Sequence, residues 1–216
     1  MKKRVIVFII VIALVFSMAP SALALTLQNL EDATYLVGET ATPLSIGLQL
    51  PTTTYQWQQE VSIFGADVWI DMSGETGSSF TPPTDSAGTT NYRCAKTELL
   101  ATTTYTAEVE ITVLEEPEIS VTPATQNVAT GGTATFTAAI SGADGWTLTE
   151  CYWAWGPTDD PADITGDTGT AVAPTTYSPT LSTAGTYYYF YVCEYTDTAN
   201  GTKDITVYSN GAEAVV

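Results

Sequence analysis

The sequence predicts an all-β protein, two tandem β-sandwich domains behind an N-terminal export signal. Apolar and polar residues alternate with period two almost everywhere after residue 25, and no stretch there sustains a helical period. Turn residues interrupt that pattern at short intervals, with Pro51, Gly65, Gly74, Gly77, Pro82-Pro83 and Gly88 in the first half. Many short strands with frequent turns indicate a sandwich or barrel. A block also recurs: Phe80–Thr89 aligns with Tyr177–Thr186 at an offset of 97, so that Pro82, Ala87, Gly88 and Thr89 meet Pro179, Ala184, Gly185 and Thr186. A period of that size means two related domains rather than a solenoid.

The chain begins with Lys2, Lys3 and Arg4, followed by an unbroken apolar run from Val5 to Phe16. Ala22-Leu23-Ala24 then supplies the small-residue pattern of a cleavage site, so residues 1–24 read as a secretory signal. The apolar run falls short of the roughly 20 residues a bilayer demands, and no second such run follows. The expected mature protein therefore starts at Leu25, does not insert in a membrane, and is secreted or held at the cell surface. Strands are expected over Thr40–Leu50, Tyr55–Gln59, Val68–Asp71, Asn91–Thr97 and Thr103–Leu114. Charge and proline at Leu114-Glu115-Glu116-Pro117-Glu118 break the pattern and divide the chain into domains at 25–115 and 116–216. About 90 residues per unit is the immunoglobulin size. In that fold a Trp on the third strand fills the space between the sheets and a Tyr ties the corner before the sixth. Trp57 and Tyr92 take those roles in the first domain, and Trp153 or Trp155 with Tyr187 in the second.

Tyr55-x-Trp57 followed by Phe80-Thr-Pro-Pro-Thr-x-Ser-Ala-Gly-Thr-x-x-Tyr-x-Cys94 resembles the bacterial Ig-like repeats of secreted and cell-surface, adhesin-type proteins. The resemblance covers most of both domains and implies stalks, spacers and adhesion modules rather than a chemistry. One departure stands out. The second strand of each unit, near Leu44-Ser45-Ile46 and Thr135-Phe136-Thr137, has no cysteine, so the usual inter-sheet disulfide of that fold is absent.

Composition narrows the function. The chain carries 6 basic and 24 acidic residues, a net −18. With the signal removed, Arg93, Lys96 and Lys203 face the same 24 acids, a net −21. Nucleic acids and anionic lipid surfaces are bound through Lys and Arg, so neither is an expected partner. With no histidine, the commonest general base, metal ligand and pH switch are all missing. A serine triad of the usual kind is excluded with it. An internal Lys–Asn crosslink is also not expected, since only Lys96 and Lys203 remain to form one.

Four groups of residues are singled out. Cys151 and Cys193 fall on the expected third and sixth strands of the second domain, neighbours in one sheet, and a disulfide is expected between them. Its loop of about 40 residues would be worth roughly 4 kcal/mol by chain entropy. Cys94 is left over, as a buried core thiol or as a partner for a cysteine of another molecule. On the strand Tyr187–Cys193, alternation sends Tyr187, Tyr189, Tyr191 and Cys193 to the core. Tyr188, Phe190 and Val192 then point outward beside Tyr152, as a candidate binding face. Asp159, Asp160, Asp163 and Asp167 gather in one expected loop. They read as a solvated turn, with no cofactor expected; calcium is the one alternative, although their spacing matches no EF-hand loop. Asn200-Gly201-Thr202 is a lone glycosylation sequon. The expected function is a non-enzymatic extracellular adhesion or structural interaction module whose partner is a protein or glycan at a cell surface. The alternative is a small carbohydrate-binding protein using the aromatic face of the second domain.

Overall fold

The computed structural model describes residues 29–47, 52–98, 102–169 and 172–216. The signal and its cleavage site lie outside the described residues. The described chain is all-β apart from one 3-10 turn, Pro161–Asp163. The first sandwich holds strands β1 (Ala33–Leu36), β2 (Leu44–Ser45), β3 (Thr54–Ile63), β4 (Ala66–Asp71), β5 (Ser79–Phe80), β6 (Gly88–Thr97), β7 (Thr104–Tyr105) and β8 (Val109–Leu114). One sheet runs β1-β8-β6-β3-β4, with β7 beside β6, and β2-β5 forms the facing layer. The expected strand Thr40–Leu50 contracts to Leu44–Ser45 within its described part, because Thr42-Pro43 breaks the ladder before it. The expected Thr103–Leu114 divides into β7 and β8.

The second sandwich repeats the plan with β9 (Glu118–Thr122), β10 (Thr125–Asn127), β11 (Gly132–Thr133), β12 (Phe136–Ser141), β13 (Trp146–Gly156), β14 (Gly166–Asp167), β15 (Thr176–Tyr177), β16 (Thr180–Leu181), β17 (Thr186–Asp197), β18 (Asp204–Tyr208) and β19 (Ala212–Val215). Its larger sheet runs β10-β19-β17-β13-β14, with β18 on β17, against β15-β12-β9 and β11-β16. In both units a short early strand pairs in parallel with the last one, β1 with β8 and β10 with β19.

The cores form where the period-two pattern places them. Trp57, fully buried, packs on Phe80, whose ring also meets Tyr92. In the second unit Trp153 rather than Trp155 takes the central place, 5.1 Å from the Tyr191 ring, and its Nε1 donates to the Pro174 carbonyl at 2.9 Å. Tyr187 ties the corner as expected, donating to the Thr183 carbonyl at 3.2 Å.

The two sandwiches meet at a joint made of specific contacts. Leu36 and Leu114 of the first pack against the core of the second. Gly145, at φ 84°, brings its backbone against the Leu114 methyls, and a Cβ there would lie 2.5 Å from Cδ2. Trp146 Nε1 donates to the Glu115 carbonyl at 2.8 Å. Lys203 pairs with Glu39 at 2.7 Å across the joint, and the hydroxyl of Thr34 donates to Asp197 at 3.3 Å. The Lys203 hydrogen bond and the Leu36 backbone donor hold the Glu39 carboxyl below the usual carboxylate range.

Candidate interaction surface

Two of the singled-out groups lie elsewhere than the alternation alone implies. Phe190 and Val192 do point away from the main core, but both are fully buried, in a satellite cluster with Ala154, Tyr152, Ile164 and Tyr188. The expected binding face is therefore corrected to a second small core. Its cover is the chain that leaves β13 at Gly156 and folds back. A Cβ on Gly156 would lie 2.7 Å from the Asp163 carbonyl, and one on Gly211 would lie 3.1 Å from Phe190 Cε1 and 3.2 Å from Asp159 Cα. That covering loop is the acidic segment itself. Asp160 accepts from the Ala162 N–H at 2.9 Å, Asp163 from the Thr158 hydroxyl at 2.7 Å, and Asp167 from the Gly169 N–H at 2.7 Å. These carboxylates cap their own turns. Among the described residues no three acidic, cysteine or histidine side chains converge on a metal position.

The cysteine pair is half as expected. Cys151 lies directly across from Cys193 in the β13–β17 register. The expected disulfide is not formed, however, and all three cysteines are free and buried. The Tyr191 hydroxyl donates to the Ala173 carbonyl at 2.7 Å, so at 2.9 Å from that hydroxyl the Cys151 thiol is the donor. Burial, and secondarily the neighbouring Cys151, push the Cys193 thiol up to about 12. Thiolate is the form that reacts in oxidation, and burial withholds both thiolate and access. Alkylation of the denatured, unreduced protein is expected to add three adducts per chain by mass; one adduct would mean the pair is oxidised.

A different group of partly exposed aromatic and polar side chains lies on the first sandwich. On the outer face of its larger sheet, Arg93 of β6 is held between two aromatic rings. Its guanidinium carbon is 4.1 Å from the Trp69 ring centroid and 4.3 Å from that of Tyr105. Arg93 Nε donates to Gln58 at 2.8 Å, and Gln58 Nε2 donates on to Asp71 at 2.7 Å. Alongside, Asn91 donates to Glu60 at 2.8 Å. Alternation explains the assembly. Tyr92 and Cys94 face the core, so Asn91 and Arg93 face out, beside Gln58 and Glu60 of β3 and Trp69 and Asp71 of β4. Tyr105 is half exposed. A guanidinium held against two rings and hydrogen-bonded to Gln58 is already ordered, so further contacts cost it little freedom. The sequence carried a signal for this site, an arginine among three mature bases at an outward position, but the aromatic residues that clasp it come from two other strands.

No protein-family model matches the chain, and no curated protein matches it. Among solved structures it is similar to the N-terminal four Ig domains of Dscam1 isoform 4.44, with 15% identity over 88% of this chain and 45% of that one, at a TM-score of 0.40. Isoform 7.44 of the same four domains gives 14%, 88%, 44% and 0.39. The N-terminal eight Ig domains of Down Syndrome Cell Adhesion Molecule isoform 1.30.30 give 15%, 86%, 22% and 0.38. The chain spans less than half the length of each, and likenesses this loose carry no functional argument.

Proposed function

We propose that this protein is a non-enzymatic extracellular interaction module, of adhesion or structural type, that meets a protein partner through the outer face of its first sandwich. The observation that carries the reading is the Trp69–Arg93–Tyr105 stack. Trp, Tyr and Arg are the residue types that dominate binding energy in protein interfaces, and here they stand together, ordered and partly exposed, with Gln58, Asp71, Asn91 and Glu60 as a polar surround. The joint supports it by fixing how the second sandwich carries this face. Glycan recognition by the second domain loses its site, since Phe190 and Val192 are buried.

The test is binding of the processed chain to intact cells and matrix proteins, compared with its Arg93→Ala and Tyr105→Ala variants. A saturable interaction weakened tenfold or more by either change is expected. Binding unaffected by both variants sinks the assignment of this face.

A further inference from the structure

The larger sheet of the first sandwich ends in β4, which pairs with β3 and whose outer edge pairs with no other described strand. Its residues are exposed throughout except for the partly covered Trp69. The register tells which backbone groups line that edge. Trp57 directs its N–H and C=O toward the β4 side, donating to Glu75 at 2.9 Å and accepting from Met72 at 2.9 Å. Alternation then turns Gln59, Val61 and Ile63 toward Ile70, Val68 and Ala66, so the N–H and C=O groups of Asp67, Trp69 and Asp71 point outward. The hairpin reaches this position through a turn with Phe64 at φ 51° and Gly65 at φ 82°, which leaves the Phe64 ring wholly exposed. Ile63, Val68 and Ile70 add exposed aliphatic surface on one face of the hairpin. Asp67 and Asp71 lie on the other, on either side of Trp69.

We propose that β4 is the docking edge for an extended protein segment that joins the sheet as an added strand and carries basic side chains opposite Asp67 and Asp71. The proposal rests on the interaction-module reading and names the chemistry of the partner at the edge of that same face. Residues directly opposite across a strand pair share a face. The partner therefore has Lys or Arg four residues apart against the two aspartates, and aliphatic residues at the intervening odd steps against Val68 and Ile70. Charge selects this occupant over a second copy. Two β4 edges pairing antiparallel about Trp69 would set Asp67 against Asp71 twice, and each processed chain already carries a net −21, three bases against 24 acids. Like charges directly opposite destabilise a pair, so the aspartates repel this chain and admit a basic strand.

The probe is an end-capped peptide with the core lysine–valine–threonine–valine–lysine, added to the processed chain while amide exchange is followed by NMR. Exchange at Asp67, Trp69 and Asp71 is expected to slow at least tenfold. A composition-matched core, valine–lysine–threonine–lysine–valine, presents its lysines on the wrong face and should not slow it. A double variant, Asp67→Lys with Asp71→Lys, should shift the preference to the glutamate-for-lysine peptide while leaving the backbone edge intact. Equal binding of the two composition-matched peptides, or binding without protection of those three amides, overturns the proposal in favour of diffuse ion pairing. Protection of the same amides by self-association overturns it in favour of a dimer. Loss of cell binding in Tyr105→Ala with no peptide protection would leave the interaction face standing and remove only the edge.

Discussion

Replacing Phe190 by alanine is expected to lower stability by about 3–5 kcal/mol, the range for deleting a fully enclosed aromatic side chain. Phe190 has no exposed surface and is enclosed by Ala154, Val192, Ile164 and the backbone at Gly211. For a sandwich of this size the loss corresponds to a fall in melting temperature of about 15 °C or more. Tyr208→Ala, at a side chain 44% exposed on the adjoining strand, is the control and should cost under about 1 kcal/mol. Thermal melts of the two variants decide the matter. A Phe190→Ala melt indistinguishable from the parent would return that face to solvent and revive it as a binding surface.

Asp197→Ala is expected to be the second severe change, about 2–4 kcal/mol, from backbone donors left without an acceptor. The Asp197 carboxylate, nearly inaccessible, accepts N–H groups from Asn200, Gly201, Thr202 and Lys203 at 2.8, 3.2, 2.9 and 2.7 Å. The loop so formed holds Lys203 in position for Glu39 and sets Asp197 beside Thr34, so its loss also loosens the joint. Burial alone would raise the Asp197 carboxyl, but the four backbone donors outweigh it and its titration lies below the ordinary carboxylate value. The sign follows. A depressed folded value contributes stability that is fully present above the unfolded value of about 3.9 and is lost as pH falls through the folded one. The difference in stability between parent and Asp197→Ala should therefore be constant from about pH 5 upward and shrink below about pH 4. A difference that does not change down to pH 2 would show that the carboxylate charge plays no part. Asp197→Asn, which keeps an oxygen acceptor but gives up the charge, should fall between the two.

Much of the architecture is legible along the chain because a strand's periodicity is local. Trp57, Tyr92, Tyr189 and Tyr191 alternate inward in the structure as they do in the sequence, and the repeat at Phe80 and Tyr177 marks equivalent places in two sandwiches. The strand order of the expected fold placed Cys151 on the strand beside Cys193, and the register sets them face to face. Alternation separated Phe190 from Tyr189 and Tyr191 correctly, since period two assigns each side chain to one face or the other.

What alternation by itself determined is which face a residue takes; whether that face is wet was decided by the tertiary structure. The acidic segment after Gly156 reads as a solvated turn or a cation loop, yet it folds over Phe190 because Gly156 and Gly211 allow two backbones to approach where a Cβ would collide. The Trp69–Arg93–Tyr105 stack is likewise invisible along the chain, since its members lie on three strands and meet only through the β3–β6, β3–β4 and β6–β7 registers. The free state of the cysteine pair goes with packing that raises the Cys193 thiol and gives the Cys151 proton a phenolic acceptor. Fold class, charge and the inward aromatics were thus properties of the sequence, because they depend on neighbours one to four residues away or on totals. Exposure was decided by contacts between residues tens of positions apart, which only the closed sandwich brings together.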